Sequence, residues 1–191
     1  MHTLVQILSQ LTPLTKEEEN DVIAAFPIKT FEKGTYLIKE GKYVKDAYFV
    51  VSGCIREYTL QDGEEKTTAF YTEQQSAVDF VALTQKKPSK INFICTEETT
   101  VAIVNAEKEQ ALYKKHPRFE SFCRSGVEQM MGQKQEQLAE SINLKPEQRY
   151  QKLVAERPEL VNRVPQYQIA SYLGIKPESL SRIRLRMVKN N

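Results

Sequence analysis

The sequence is poor in the residues that build metal and redox centres. Its 191 residues include two histidines, His2 and His116, and three cysteines, Cys54, Cys95 and Cys123. Cysteines so few, odd in number and widely spaced make neither a disulfide framework nor a cluster site. They read as buried or incidental thiols of a cytoplasmic protein. No His-x-His or carboxylate–His cluster is present, which removes a metal-dependent catalytic site, and no other catalytic constellation is visible. His116, beside Pro117, reads as a helix-start residue. No apolar run approaches the roughly 20 residues of a membrane span. The N-terminus, Met1-His2-Thr3-Leu4-Val5-Gln6, has no basic region followed by an apolar stretch, so no signal peptide is expected. Internal repeats and low-complexity tracts are absent as well.

What is present suffices for a folded protein. Hydrophobic residues make up 40% of the chain, enough for a core, and the length accommodates one average domain plus a small one. The net charge of +2 hides an asymmetry. From Lys145 onward ten Lys and Arg stand against four Asp and Glu, whereas the residues before Lys145 carry more carboxylates than cations. Positive charge is therefore gathered in the last quarter of the chain, as phosphate contact requires.

That quarter carries the most informative spacing. In Val164–Met187, Ile169, Ala170 and Leu173 share one face of a short helix. Gly174 follows, where a residue without Cβ can take the left-handed conformation of a sharp turn. Pro177 suits the first turn of a second helix, because its missing N–H would be unpaired there anyway. Leu180, Ile183 and Met187 give this helix an inward stripe. Ala170 falls where two crossing helices approach most closely, and Leu180 fills the gap between them. The pattern predicts a helix-turn-helix whose outer face reads duplex DNA.

Ahead of it the periodicity changes twice. Thr3–Ala25 reads as helical, with Leu4, Ile7, Leu8 and Leu11 on one face. Thr15 and Glu18 have the spacing of a capping box before a second helix that Pro27 stops. From Ile28 to Ile103 the period is two, with glycine or charged pairs between short apolar runs. Asp62–Gly63 is the clearest hairpin signal, since both residues tolerate the positive φ of a type I′ turn. Seven or eight short strands predict an antiparallel sandwich or barrel, interrupted by a short helical or irregular piece at Ser76–Thr84. Helical period returns at Glu107–Lys115 and in a long helix from His116 to about Asn143. The inward candidates of that helix are Phe119, Phe122, Cys123, Val127, Met130, Met131, Leu138 and Ile142. Lys145–Glu156 is a further amphipathic helix, and Arg157–Pro165 reads as a proline-bounded connector.

This order of parts resembles the Crp/Fnr family of bacterial transcription regulators, and the resemblance covers nearly the whole chain. Its most specific stretches are Phe31–Gly34–Tyr36–Leu37–Ile38–Glu40–Gly41, then Tyr48–Phe49–Val50–Val51–Ser52–Gly53 with Ile55–Arg56, then the C-terminal motif. The resemblance implies an α+β chain in three parts. Residues 1–115 would be an antiparallel β-roll sensor of the cyclic-nucleotide-binding type. Residues 116–143 would be a connecting and dimerising helix, and 144–191 a winged helix-turn-helix. The wing is short or incomplete, since only four residues follow Met187.

The resemblance also implies where an effector would sit. Nucleotide-responsive members pair a Gly–Glu–Leu–Ala turn with a later Arg that neutralises the phosphate. The matching stretch here is Ala77–Val78–Asp79–Phe80, and the Arg position falls at Ser89, next to Lys90. Gly, Glu and Arg are all absent, so cyclic nucleotide is disfavoured as a cofactor, although Asp79 could still reach a ribose and Lys90 supply a point charge. The clustered N-terminal cysteines of iron–sulfur members are missing too. In the recognition helix, Glu178 and Arg182 match the family's base-reading positions, as acceptor from cytosine and donor to guanine, while Pro177 replaces its first Arg. Ser179 and Ser181 can contact bases or phosphates, and Lys176, Arg184, Arg186 and Lys189 are phosphate contacts or solvated charges.

The expectation is therefore a homodimeric, sequence-specific DNA-binding regulator, not an enzyme, with a degenerate nucleotide pocket whose small-molecule effector is unknown or lost. The alternative is a small-molecule or protein-interaction module whose helix-turn-helix serves only for assembly.

Overall fold

The computed structural model of the chain describes residues 2–189. It opens with α1 (Thr3–Leu11) and α2 (Lys16–Ala25). The expected capping box forms at the start of α2. Thr15 Oγ1 accepts from the Glu18 amide at 3.2 Å, and Glu18 Oε2 accepts from the Thr15 amide at 2.8 Å. Glu17, Glu18 and Glu19 in the first turn suit the positive end of the helix dipole.

Eight strands follow: β1 (Ile28–Phe31), β2 (Tyr36–Ile38), β3 (Asp46–Ser52), β4 (Ile55–Gln61), β5 (Glu64–Tyr71), β6 (Ser76–Ala77), β7 (Asn92–Cys95) and β8 (Thr99–Asn105). They form two four-stranded sheets, in the orders β1-β8-β3-β6 and β2-β7-β4-β5. The expected α+β class and antiparallel β-roll are what the chain adopts. Period-two alternation assigns each residue of the first sheet to a face. On one face Phe49, Val51, Ala102 and Val104 meet the cluster of Val5, Val22, Phe26, Leu112 and Phe119 from the helices. On the other, Val50 pairs in register with Val101 and both are fully buried. Tyr48 reaches across from β3 to donate to the Leu37 carbonyl of β2 at 3.0 Å, and burial pushes its phenol up to about 12. Cys54 and Cys95 are buried free thiols, as expected.

Two turns of the roll need their residue types. Asp62 and Gly63 have φ of 53° and 80°, the left-handed pair of a type I′ hairpin. Gly53 has φ of +102°, and a Cβ there would lie 2.6 Å from the Glu98 carbonyl oxygen.

After β8 come α4 (Ala106–Lys115), α5 (Arg118–Asn143), α6 (Pro146–Glu156), α7 (Pro158–Arg163), α8 (Gln166–Tyr172) and α9 (Pro177–Lys189). The chain divides into two compact units. One is Met1–Glu57 with Phe70–Gly126, and the other is Tyr58–Ala69 with Val127–Asn191. The tip of the β4–β5 hairpin thus groups with the C-terminal helices.

Two readings need correction and one needs extending. The Arg157–Pro165 connector carries α7, because Pro158 stands at the first helical position, where proline starts a helix, and Leu160 is fully buried. His116 also closes α4, with its amide bonded to the Leu112 carbonyl at 2.8 Å, while its carbonyl accepts the Phe119 amide at 3.0 Å in the first turn of α5. Of the inward candidates of α5, only Phe119 is buried. Phe122, Cys123 and Met130 are half-buried, and Val127, Met131, Leu138 and Ile142 are exposed. At its C-terminal end α9 stays helical to Lys189. The Lys189 side chain and the residues of any wing beyond it lie outside the described residues.

Gly53→Ala should destabilise the β-roll by about 2–3 kcal/mol, since it adds left-handed strain to a backbone clash. Urea unfolding of the variant against the wild type measures this.

Candidate nucleic-acid interface and effector pocket

The helix-turn-helix forms as its spacing predicts. Ile169, Ala170, Leu173, Leu180 and Ile183 are all buried, and Tyr150 and Leu153 of α6 are buried beneath them. Gly174, at φ +68°, ends α8 in a Schellman arrangement: the Ile175 amide bonds the Ala170 carbonyl and the Gly174 amide bonds the Ser171 carbonyl, each at 3.0 Å. Arg149 of α6 donates to the Leu173 carbonyl at 2.7 Å, fixing the turn from below. Sequence reading missed this contact, because an arginine on an amphipathic helix gives no sign that it faces a turn 24 residues later.

The predicted DNA-facing residues emerge from this frame. Lys176, Glu178, Ser181, Arg182, Arg184 and Arg186 are exposed, and Ser179 is half-buried. Glu178, Ser181, Arg182 and Arg184 make no hydrogen bond or ion pair among the described residues. Arg186 differs: it pairs with Glu147 of α6 at 3.0 Å, across a groove of about 580 Å³ lined by Lys145, Gln148, Ile175, Ser179 and Arg182. A free guanidinium at Arg182, one carboxylate at Glu178 and small hydroxyls between them can read base edges.

In the β-roll the structure gathers part of the predicted pocket and disperses the rest. Asp79 is the N-cap of a short helix, α3 (Phe80–Gln85) by residue range. Its Oδ1 accepts the Ala82 amide at 3.0 Å, and its Oδ2 accepts the Ser89 hydroxyl at 2.7 Å. Ser89 Oγ in turn accepts the Ile91 amide at 3.1 Å. Asp79 and Ser89 are 7% and 3% exposed, so both carboxylate oxygens are committed inside the protein. Ala77 is fully buried, Val78 half-buried, and Phe80 and Lys90 are exposed. The Ser89 backbone is held by Gly41 and Lys42, through two bonds of 2.8 Å.

A second carboxylate lies close by. Tyr71 donates to Glu57 at 2.5 Å and stacks edge-on against Phe93 with centroids 5.7 Å apart. Burial holds the Tyr71 phenol far above its ordinary range, with Glu57 and then Asp79 adding to the effect. Glu57 and Asp79 are thus both acids that act on the Tyr71 phenol. Neither Glu57 nor Tyr71 was among the predicted pocket residues. Only their alternation on neighbouring strands could have signalled them.

Comparison with known proteins agrees with this geometry. The sequence profile of the cyclic nucleotide-binding domain matches residues 28–116. The fold is similar to that of the c-di-GMP responsive global regulator CLP of Xanthomonas campestris, at 13% identity and a TM-score of 0.70, covering 92% of this chain and 93% of that one. FixK2 of Bradyrhizobium japonicum follows at 16% and 0.68, covering 86% and 85%. The catabolite activator protein of Thermus thermophilus stands at 17% and 0.53, covering 93% and 85%. No curated protein matches the chain in sequence. The chain therefore shares its fold with these three proteins.

Asp79→Ala removes a cap and leaves a buried hydroxyl without its acceptor, and should cost about 1–3 kcal/mol of unfolding free energy. Asp79→Asn, which keeps an acceptor for the Ala82 amide, should cost less. Paired denaturation curves give the comparison.

Proposed function

We propose that this chain is a homodimeric, sequence-specific DNA-binding transcription regulator of the cytoplasm that does not respond to cyclic AMP. Its parts are a sensor-derived β-roll at 1–115, a connecting and dimerising helix at 116–143 and a DNA-binding domain at 144–191. The observation that carries the reading is the polar face of α9. Glu178, Ser181, Arg182 and Arg184 stand exposed and make no hydrogen bond or ion pair among the described residues, on a helix that buries Leu180 and Ile183. Glu178 and Arg182 read bases, Ser179 and Ser181 contact bases or phosphates, and Lys176, Arg184 and Arg186 meet phosphates. Arg186 must then exchange Glu147 for a phosphate oxygen or bridge both.

The effector reading rests on the pocket residues. In the family's cassette an arginine would donate to the phosphate at or near the position of Ser89, and that hydroxyl is spent on the Asp79 carboxylate. Lys90 is exposed, and a lone ammonium lacks the bidentate geometry of an arginine. A phosphate brought beside Asp79 would meet a carboxylate whose two oxygens are already bonded within the protein. Of the pocket candidates only Val78, Phe80 and Lys90 keep exposed surface.

Dimerisation is supported by the exposed stripe of α5. Met131 and Leu138 lie one heptad apart and are 58% and 62% exposed, with Val127 and Ile142 extending the row. Leu138→Glu should convert a dimer into a monomer in sedimentation velocity without loss of helical content.

DNA reading is tested by selection from random duplexes, with and without cyclic AMP, followed by a salt titration on the enriched site. A two-fold symmetric site, unaffected by the nucleotide, is the expected result. Arg182→Ala should then weaken binding by about 1–3 kcal/mol and relax preference at one position per half-site. A folded dimer that enriches nothing at low salt would instead be an interaction module.

A further inference from the structure

Ser171 lies on α8, on the side away from the packed Ile169 and Ala170, and a solvated hydroxyl would be unremarkable there. Instead it holds a piece of β-sheet. Its Oγ accepts the Thr67 amide at 2.9 Å and donates to the Glu65 carbonyl at 3.0 Å. These are main-chain groups of β5, which stands at the edge of its sheet, where amides and carbonyls lack a neighbouring strand. One hydroxyl thus takes a donor and an acceptor from the same strand edge, which only a side chain with both functions on one atom can do. Thr67 is 5% exposed, so the contact is a packed one.

The tip held in this way is acidic. From the end of β4 into β5 the chain reads Gln61–Asp62–Gly63–Glu64–Glu65–Lys66, three carboxylates to one ammonium. Glu64 pairs with Lys66 at 2.5 Å. Its carboxyl is held below the usual range by Lys66 first, and Lys176 contributes from the residue before α9. Lys176 is the cation expected to meet a DNA phosphate at the entry to the recognition helix. A phosphate and the hairpin carboxylates cannot share that neighbourhood without mutual repulsion, which salt screens over about 10 Å at 0.1 M.

From these contacts we infer that the β4–β5 hairpin is a latch on the helix-turn-helix: Ser171 holds its acidic tip beside the start of α9, and duplex DNA must displace it to bind. The inference rests on the DNA-binding reading above. It makes the hairpin an internal competitor for the phosphate-facing cation, and any event that frees the hairpin raises DNA affinity.

The test uses the full chain and a labelled duplex of mixed sequence, followed by fluorescence anisotropy at about 50 mM and about 200 mM salt. Ser171→Ala removes both hydrogen bonds, and the combined variant Asp62→Asn, Glu64→Gln, Glu65→Gln removes the repulsion. Each should bind the duplex about tenfold more tightly than wild type at the lower salt, the gain of the charge variant shrinking at the higher. Ser171→Thr, which retains the hydroxyl, should stay near wild type. Amide exchange at Thr67 gives a readout independent of variant stability. It should be slow in the free wild type and faster once duplex is bound. Equal or weaker binding by both variants, or a Thr67 amide that stays protected in the complex, overturns the latch and leaves the DNA-binding reading standing. Absence of duplex binding by every protein, wild type included, overturns both.

Discussion

The chain passes between its two units at only three places: the two strands of the β4–β5 hairpin and the helix α5. The start of α5 is held fast. Phe119, 1% exposed, is part of the core under the first sheet, and burying a side chain of that size stabilises by about 1.5–3 kcal/mol. Beside it the Arg118 guanidinium donates to Glu18 at 2.6 Å and to the Pro13 carbonyl at 2.9 Å, while His116 bonds Asp21 at 2.6 Å. The Glu18 carboxyl is held below the usual range first by the Thr15 amide and then by Arg118, working against its own burial. The first two turns of α5 are thus part of the core of the first unit, while Met131 and Leu138 further along are exposed.

The hairpin is the opposite kind of connection. Its strands belong to the sheet at their outer ends, and the contacts of its tip include two hydrogen bonds to Ser171 of α8. Two hydrogen bonds to a hydroxyl are modest beside the core contacts of Phe119, each being worth about 1 kcal/mol net.

How much of this was legible in the sequence follows the range of each interaction. The helix-turn-helix could be read because its determinants are local: Ile169, Ala170 and Leu173 repeat at helical spacing, and Gly174 must adopt a positive φ. The type I′ turn at Asp62–Gly63 and the capping box at Thr15 were legible for the same reason. Failures came where two residues far apart decide each other's role. Asp79 looked like a ligand-binding acid until Ser89 took its second oxygen, and nothing in the sequence signals that Ser171 meets Glu65 and Thr67. Proline misled in α7, since a residue that ends one helix also begins the next, and which it does depends on what Leu160 can bury.

The acidic pocket and the acidic hairpin are two expressions of one charge pattern. Outside the basic last quarter the chain carries an excess of carboxylates. Asp79 and Glu57 lie in the roll, and Asp62, Glu64 and Glu65 stand about the β4–β5 turn, where Lys66 and then Lys176 hold the Glu64 carboxyl below the usual range. In the latch proposed above, the hairpin carboxylates oppose phosphate at the start of α9, and the strength of that opposition depends on ionic strength and on the two bonds to Ser171.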